Sequence, residues 1–285
     1  MILITGATGR IGGATLKQLS TRGLPVRALV RSAEKAALVA KARVETVIGD
    51  LAQPRSLEPA LDGVTAALLV SPLDPSQVEL QGGFIEAAKR ASRPHVVKIS
   101  GLGTALDSSV RSGRWHAQTE KHLEESGLPY THLRPPFFMQ NILRFAPTIR
   151  AHGEFTGSLG QGKVAMIDVE DIAAVAASAL TTTAHVGKVY TLTGPEALSY
   201  GDVAEKLARI LVRPVIYRDV PLALTRERLI ASGMPAWHVD VQMDFNTALS
   251  AGLAATVTDT VEAVTGRPAR PLERFIREHL ALFTS

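Results

Sequence analysis

The sequence predicts an α/β chain built on a doubly wound parallel sheet with a smaller C-terminal α/β lobe, and three observations carry that expectation. Short β-branched apolar runs alternate with longer amphipathic stretches through the first half of the chain, a glycine triad directly follows the first run, and the alternation breaks at Pro135-Pro136. Runs that are apolar on both faces suit parallel strands covered on each side by crossover helices.

In chain order, strands are expected near 2–5, 25–30, 44–48, 65–70, 95–100 and 129–133. Helical patterns lie between them near 10–22, 33–40, 54–62, 76–92 and 113–126, the last stopped by Gly127 as C-cap and Pro129 as breaker. Strands joined by helical crossovers throughout make a doubly wound sheet. Past Arg134, Phe137-Phe138-Met139 cannot continue a two-sided strand behind two prolines, so the chain is expected to leave the sheet there. A helix near 169–180 and a strand at 188–192 look like a return to it. From Gly194 onward the helices are longer and proline-punctuated, and a helix around Leu272–Phe283 is expected to close the smaller lobe.

At 285 residues, with 46% apolar and 20% charged residues, the chain can bury a full core without staples. It has no cysteine, which excludes disulfides, thiolate nucleophiles, iron–sulfur clusters and cysteine-based zinc sites. A first strand at Ile2 leaves no room for a leader, and no apolar run approaches the roughly 20 residues that cross a bilayer, so a cytoplasmic protein without membrane attachment is expected. The net charge is +4, but Lys and Arg are dispersed and no basic cluster interleaves with aromatics, so nucleic-acid binding is not expected. The mild basic excess suits an anionic cofactor better.

The turn Gly6-Ala7-Thr8-Gly9-Arg10-Ile11-Gly12 sits between Ile2-Leu3-Ile4-Thr5 and a helical pattern, the context a dinucleotide-binding turn requires. Gly6 permits the tight turn, Gly9 lets backbone amides approach a pyrophosphate, and Gly12 lets the helix pack close, its N-terminus toward the phosphates. Residues 1–134 with roughly 163–192 are therefore expected to form a dinucleotide-binding domain, and 135–162 with 193–285 a substrate lobe. An NAD enzyme places a carboxylate after the second strand to meet the ribose 2′-OH. Here Arg31 follows Leu29-Val30, and a guanidinium suits a 2′-phosphate, so NADP(H) is expected ahead of NAD(H). Gly49-Asp50-Leu51 follows the third strand, where Asp50 either accepts a hydrogen bond from the adenine amino group or caps the next helix. Ser71 and Pro72 after the fourth strand and Ser100 after the fifth lie at the carboxyl edge, with Ser71 and Pro72 expected toward the nicotinamide half.

These residues resemble a family. The GATGxxG turn, Arg31, Gly49-Asp50, the run from Gly127 to Thr131 into Leu133-Arg134-Pro135, then Phe138-Met139 with Asn141 and the stretch Asp168 to Ala173 are similar to the NmrA-like atypical short-chain dehydrogenases/reductases. The resemblance covers most of the chain and weakens after about residue 230. It implies one of two activities: an NAD(P)H-dependent reductase of the quinone or triphenylmethane type, or a redox sensor that binds the dinucleotide without turning over.

Ordinary short-chain dehydrogenases protonate the product with a Tyr-x-x-x-Lys pair. Tyr130, Tyr190, Tyr200 and Tyr217 are followed four residues later by Arg134, Gly194, Ala204 and Pro221, so none forms it. The helix that would carry the pair has His116 and Glu120 on one face. His116 either donates a proton or hydrogen bond to a substrate oxygen, with Glu120 orienting it, or simply lines the pocket. The histidines show no metal-ligand spacing, so no metal is expected. The segment from Pro135 to Asn141 offers an apolar wall over the nicotinamide, with Phe137, Phe138 and Asn141 toward a substrate pocket, while Phe137, Phe138 and Met139 are equally suitable as core.

A planar acceptor such as a quinone needs hydride with proton uptake and no tyrosine acid, so the expected function is an NADPH-dependent reductase of a small planar acceptor, as a monomer or homodimer. The alternative is a non-catalytic NADP(H) sensor, which alone requires a protein partner.

Overall fold

The computed structural model describes residues 1–40 and 43–284. Its elements in chain order are β1 (Ile2–Ile4), α1 (Arg10–Thr21), β2 (Val26–Val30), α2 (Ala33–Val39), β3 (Val44–Ile48), α3 (Glu58–Leu61), β4 (Ala66–Leu69), α4 (Gln77–Arg90), β5 (His95–Ile99), α5 (Arg111–Glu125), β6 (Tyr130–Arg134), α6 (Ala146–His152), β7 (Glu154–Gly157), α7 (Val169–Thr181), β8 (Lys188–Thr191), α8 (Tyr200–Leu211), β9 (Ile216–Asp219), α9 (Leu222–Ala231), α10 (Ala236–Ser250), α11 (Thr260–Thr265), α12 (Leu272–Glu278) and α13 (Leu280–Thr284). Two compact units divide them. The first comprises 1–106, 112–134 and 169–191, the second 107–111, 135–168 and 192–285.

The first unit holds a parallel sheet in the order β3-β2-β1-β4-β5-β6-β8. The order reverses between β1 and β4, which makes the carboxyl ends of these two strands the topological switch point where open α/β sheets take ligands. Each central strand is buried on both faces, as Ile2-Leu3-Ile4 and Ala66-Ala67-Leu68-Leu69 illustrate. One layer packs Leu57, Leu61, Phe84, Ile85 and Leu123 against Leu3, Leu69 and Val96. On α7 the run Ile172-Ala173-Ala174-Val175-Ala176-Ala177 is buried, its small side chains allowing α1 and β5 to approach. Gln18 of α1 donates to the Glu170 carbonyl at 3.0 Å, fixing that packing.

The second unit has its own parallel pair, β7 with β9, and an aromatic core of Phe145, Phe155, Tyr200 and Tyr217 with ring centroids 4.8–5.7 Å apart. Ser199 and Asp202 form a reciprocal capping box at the start of α8. Among the described residues, no helix is long and apolar enough to cross a membrane.

The structure departs from the sequence reading in three places. The helix expected over 54–62 is a 3₁₀ turn, Pro54–Leu57, followed by the single turn of α3, because Pro59 lacks the amide that would carry one helix through. The helix expected around Leu272–Phe283 is broken into α12 and α13 at His279, whose ring Nδ1 lies 2.9 Å from the Phe275 carbonyl, competing with the helical ladder. Residues 107–111 and 163–168, read with the first domain, belong to the second unit, where Val164 bridges Leu198 and Ala254.

Candidate active site of the first unit

The turn after β1 is built to bring backbone close to backbone. Gly6 has φ +58°, and a Cβ there would lie 3.2 Å from Val70 at the end of β4. At Gly12 a Cβ would stand 2.2 Å from the Gly6 carbonyl oxygen, so no other residue fits. Thr5 ties the turn to β4, its hydroxyl donating to the Leu68 and Val70 carbonyls at 3.0 and 2.8 Å. Gly9 is the N-cap of α1 and brings no side chain to cap the helix, so the positive end of its dipole faces the turn. A hollow of about 230 Å³ beside the turn is lined by Thr8, Gly9, Leu16, Lys17 and Leu38. Lys17 escaped the sequence reading; its place two turns into α1 was the available signal.

Arg31 and Asp50 are brought together because β2 and β3 end side by side, Val30 opposite Ile48, with the Gly49 amide on the Val30 carbonyl at 2.9 Å. Arg31 is exposed and makes no ion pair among the described residues, so its guanidinium is available. Asp50 uses Oδ1 to accept from the Ala52 amide at 3.0 Å, a local turn bond of the capping kind, with Leu51 between them.

Ser71 and His116 are joined through α4, whose buried face carries two glutamines one turn apart. Gln81 donates to the Ser71 hydroxyl oxygen at 2.8 Å, and Gln77 Nε2 sits 3.1 Å from His116 Nδ1. Pro72 is exposed beside Ser71, whose hydroxyl donates to its carbonyl at 3.2 Å. Lys98 of β5, wholly buried, places Nζ 3.0 Å from the same His116 Nδ1. Burial holds the His116 imidazole well below its ordinary pKa, and the positive charges of Lys98 and Arg134 push the same way, so the ring is neutral.

Glu120 does not orient His116. Arg134 at the end of β6 grips its carboxylate with Nε at 3.1 Å and with Nη2 as well. Burial pushes the Glu120 carboxyl up, but hydrogen bonds from Arg134 and Ser100 outweigh it and hold the group below its ordinary value. A guanidinium fork matches both carboxylate oxygens, whereas an imidazole one turn away on the same helix could take only one. Ser100 is buried, its hydroxyl spent on Glu120 and on Thr104 at 3.2 Å. Glu120, Glu124 and His132 cluster closely enough to hold a cation, but the Arg134 guanidinium already occupies and neutralises Glu120. Besides Lys17, sequence reasoning missed Lys98, Gln77 and Gln81. A lysine inside His95-Val96-Val97-Lys98-Ile99, a strand buried on both faces, was the legible anomaly.

Phe137, Phe138 and Asn141 lie in the second unit. The Phe137 carbonyl accepts from the Ile167 amide at 3.1 Å, Phe138 bridges Ile167, and the Asn141 amide donates to the Phe138 carbonyl at 3.0 Å. All three side chains are partly buried.

The NmrA-like family model matches residues 1–274. The NAD(P)H azoreductase of Xenophilus azovorans is 43% identical to this chain, over 99% of each. The crystal structure of the NADPH-dependent quinone oxidoreductase of Escherichia coli complexed with NADPH is similar with a TM-score of 0.90 at 31% identity, covering 98% of this chain and 100% of that one. Citrobacter sp. triphenylmethane reductase complexed with NADP(H) has a TM-score of 0.88 at 26% identity, covering 98% and 99%.

Proposed function

This chain belongs to the NmrA-like family, and from that premise we propose that it is an NADPH-dependent reductase of small planar conjugated acceptors of the quinone or azo type. The observation that carries the reading is the cradle at Gly6, Gly9 and Gly12, where a Cβ is excluded at Gly12 by a 2.2 Å approach, Gly6 holds a φ of +58°, Gly9 is crowded at 3.1 Å, and α1 begins without a side-chain cap. That cradle fits a pyrophosphate. We assign the 2′-phosphate to Arg31, the adenine edge to Asp50 and Leu51, and the nicotinamide half to Ser71 and Pro72. Thr8, Arg10 and Ile11 complete the phosphate turn. The relatives' NAD(P)H azoreductase and NADPH quinone oxidoreductase names support both cofactor and acceptor class.

When bound, the reduced nicotinamide supplies a hydride. The protein's task is then to orient the acceptor and provide one proton, and a conjugated acceptor that spreads the incoming charge needs only a weak donor. A neutral imidazole is such a donor, and we assign that role to His116, with Glu120 and Ser100 bracing the helix and strand around it.

The test is loss of reduced-nicotinamide absorbance with a panel of quinones and azo compounds. Turnover with NADPH preferred over NADH is the expected result. Tight binding of one redox form of the cofactor with no turnover of any acceptor would replace the reductase reading by the sensor.

A further inference from the structure

A lysine ammonium enclosed in the middle of a parallel sheet is poorly placed for packing, since methionine would fill the same space without a charge to desolvate. Lys98 is such a residue. It lies opposite Leu69 of β4 and His132 of β6, fully buried, and forms no ion pair among the described residues because Arg134 occupies the nearby Glu120. Its Nζ is directed to His116 Nδ1 at 3.0 Å, with the Ile99 carbonyl a distant second at 3.5 Å. Gln77 turns its amide Nε2, the donor end of the group, to the same nitrogen at 3.1 Å. With donors on both sides, Nδ1 holds the lone pair and the ring proton stands on Nε2, at the ring edge that faces the Gly101 backbone after β5.

We propose that Lys98 is a positioning residue that fixes His116 as the neutral Nε2–H donor and replaces the proton His116 gives to the reduced acceptor. The inference rests on the reductase reading. In the step, the acceptor gains a hydride and its electron pair at one atom. The Nε2–H bond of His116 breaks as the proton passes to the acceptor's conjugated oxygen or nitrogen. A proton moves from Lys98 Nζ to Nδ1, leaving a neutral amine and the opposite neutral tautomer. One proton from solvent restores both groups, so each turnover consumes one NADPH and one proton.

Burial brings the Lys98 ammonium down to about 7, with Glu120 opposing and Arg134 adding to the shift, which makes its proton transferable at neutral pH. The charged and titratable groups facing it are His116 and Glu120 of α5 and His132 and Arg134 of β6. Strand β4 has no titratable side chain, and α7, which packs on β5, has none between Ile172 and Thr181. His132 titrates far lower and Arg134 far higher, so a step near neutrality belongs to Lys98.

The experiment compares wild type with Lys98→Met and Lys98→Arg. In ¹⁵N-histidine spectra of the cofactor-free protein, His116 Nδ1 is expected to stay unprotonated and to shift with a midpoint near 7. In Lys98→Met the Gln77 amide, the remaining partner of Nδ1, can present either its nitrogen or its oxygen, so the spectrum should show mixed tautomers and no such midpoint. An unchanged His116 spectrum in Lys98→Met overturns the proposal. In turnover, kcat of the wild type should fall as pH rises through about 7, while Lys98→Met loses about 10–100-fold in kcat with a flat profile there and an unchanged Kd for NADPH. Lys98→Arg should restore the tautomer without the neutral-pH step. A wild-type kcat–pH profile in Lys98→Met also overturns the proposal. If no acceptor is reduced at all, the reductase reading fails, and the spectra still decide whether Lys98 holds the tautomer.

Discussion

Replacing Lys98 by methionine removes a charge that the fold keeps from water. The folded ammonium titrates at about 7 against an ordinary 10.5, a difference worth up to about 5 kcal/mol against folding at acidic pH. Between those two values the unfolded chain holds the proton and the folded chain does not, so the cost shrinks as pH rises and vanishes near the unfolded value. Methionine fills nearly the same volume but forfeits the hydrogen bond to His116, worth about 1 kcal/mol. Lys98→Met should therefore be more stable than wild type by a few kcal/mol at about pH 6, and the advantage should disappear by about pH 10. Urea midpoints at several pH values, with matched m-values, measure this directly. An offset that is constant with pH, or a variant less stable at acidic pH, would refute the argument that Lys98 is a desolvated, titrating group. The expected stabilisation also means that lost turnover in this variant reports on the site and not on misfolding.

Gly12→Ala places a methyl 2.2 Å from the Gly6 carbonyl oxygen, which should cost about 1–3 kcal/mol of stability and at least about tenfold in NADPH affinity; fluorescence titration showing wild-type affinity would sink the cradle assignment. Arg31→Ala should weaken NADPH about 10–100-fold and leave NADH within about twofold, and parallel loss for both cofactors would remove the 2′-phosphate role. Arg134→Met strands the buried Glu120 carboxylate and should lower stability by about 3 kcal/mol; a thermal midpoint near wild type would show that the pair is dispensable. Glu120 is held below its ordinary pKa in the folded chain, so its contribution is present above the unfolded value and is lost as pH falls through the folded one. Glu120→Gln should accordingly flatten the acid limb of stability below about pH 4.

Periodicity is local information, which is why the run Val44-Glu45-Thr46-Val47-Ile48 and the strands around it were legible residue by residue, as were α1, α2, α5 and the exit from the sheet at Pro135-Pro136. The glycine turn was equally legible, because its requirement for absent side chains is written in three positions of one short segment. Pairing order, and which polar groups meet across elements, depends on contacts between residues far apart in sequence, and no local pattern encodes them. His116 and Glu120 share a helix face, yet the tertiary structure gives Glu120 to Arg134 of β6 and His116 to Lys98 of β5 and Gln77 of α4. The sequence by itself determined the strands and crossovers, the glycine turn after the first strand and the absence of a Tyr-x-x-x-Lys pair. Only the fold decided what stands near that absence, because a helix face sets the direction in which a side chain leaves the backbone, while its partner is whichever group long-range packing brings within about 3 Å.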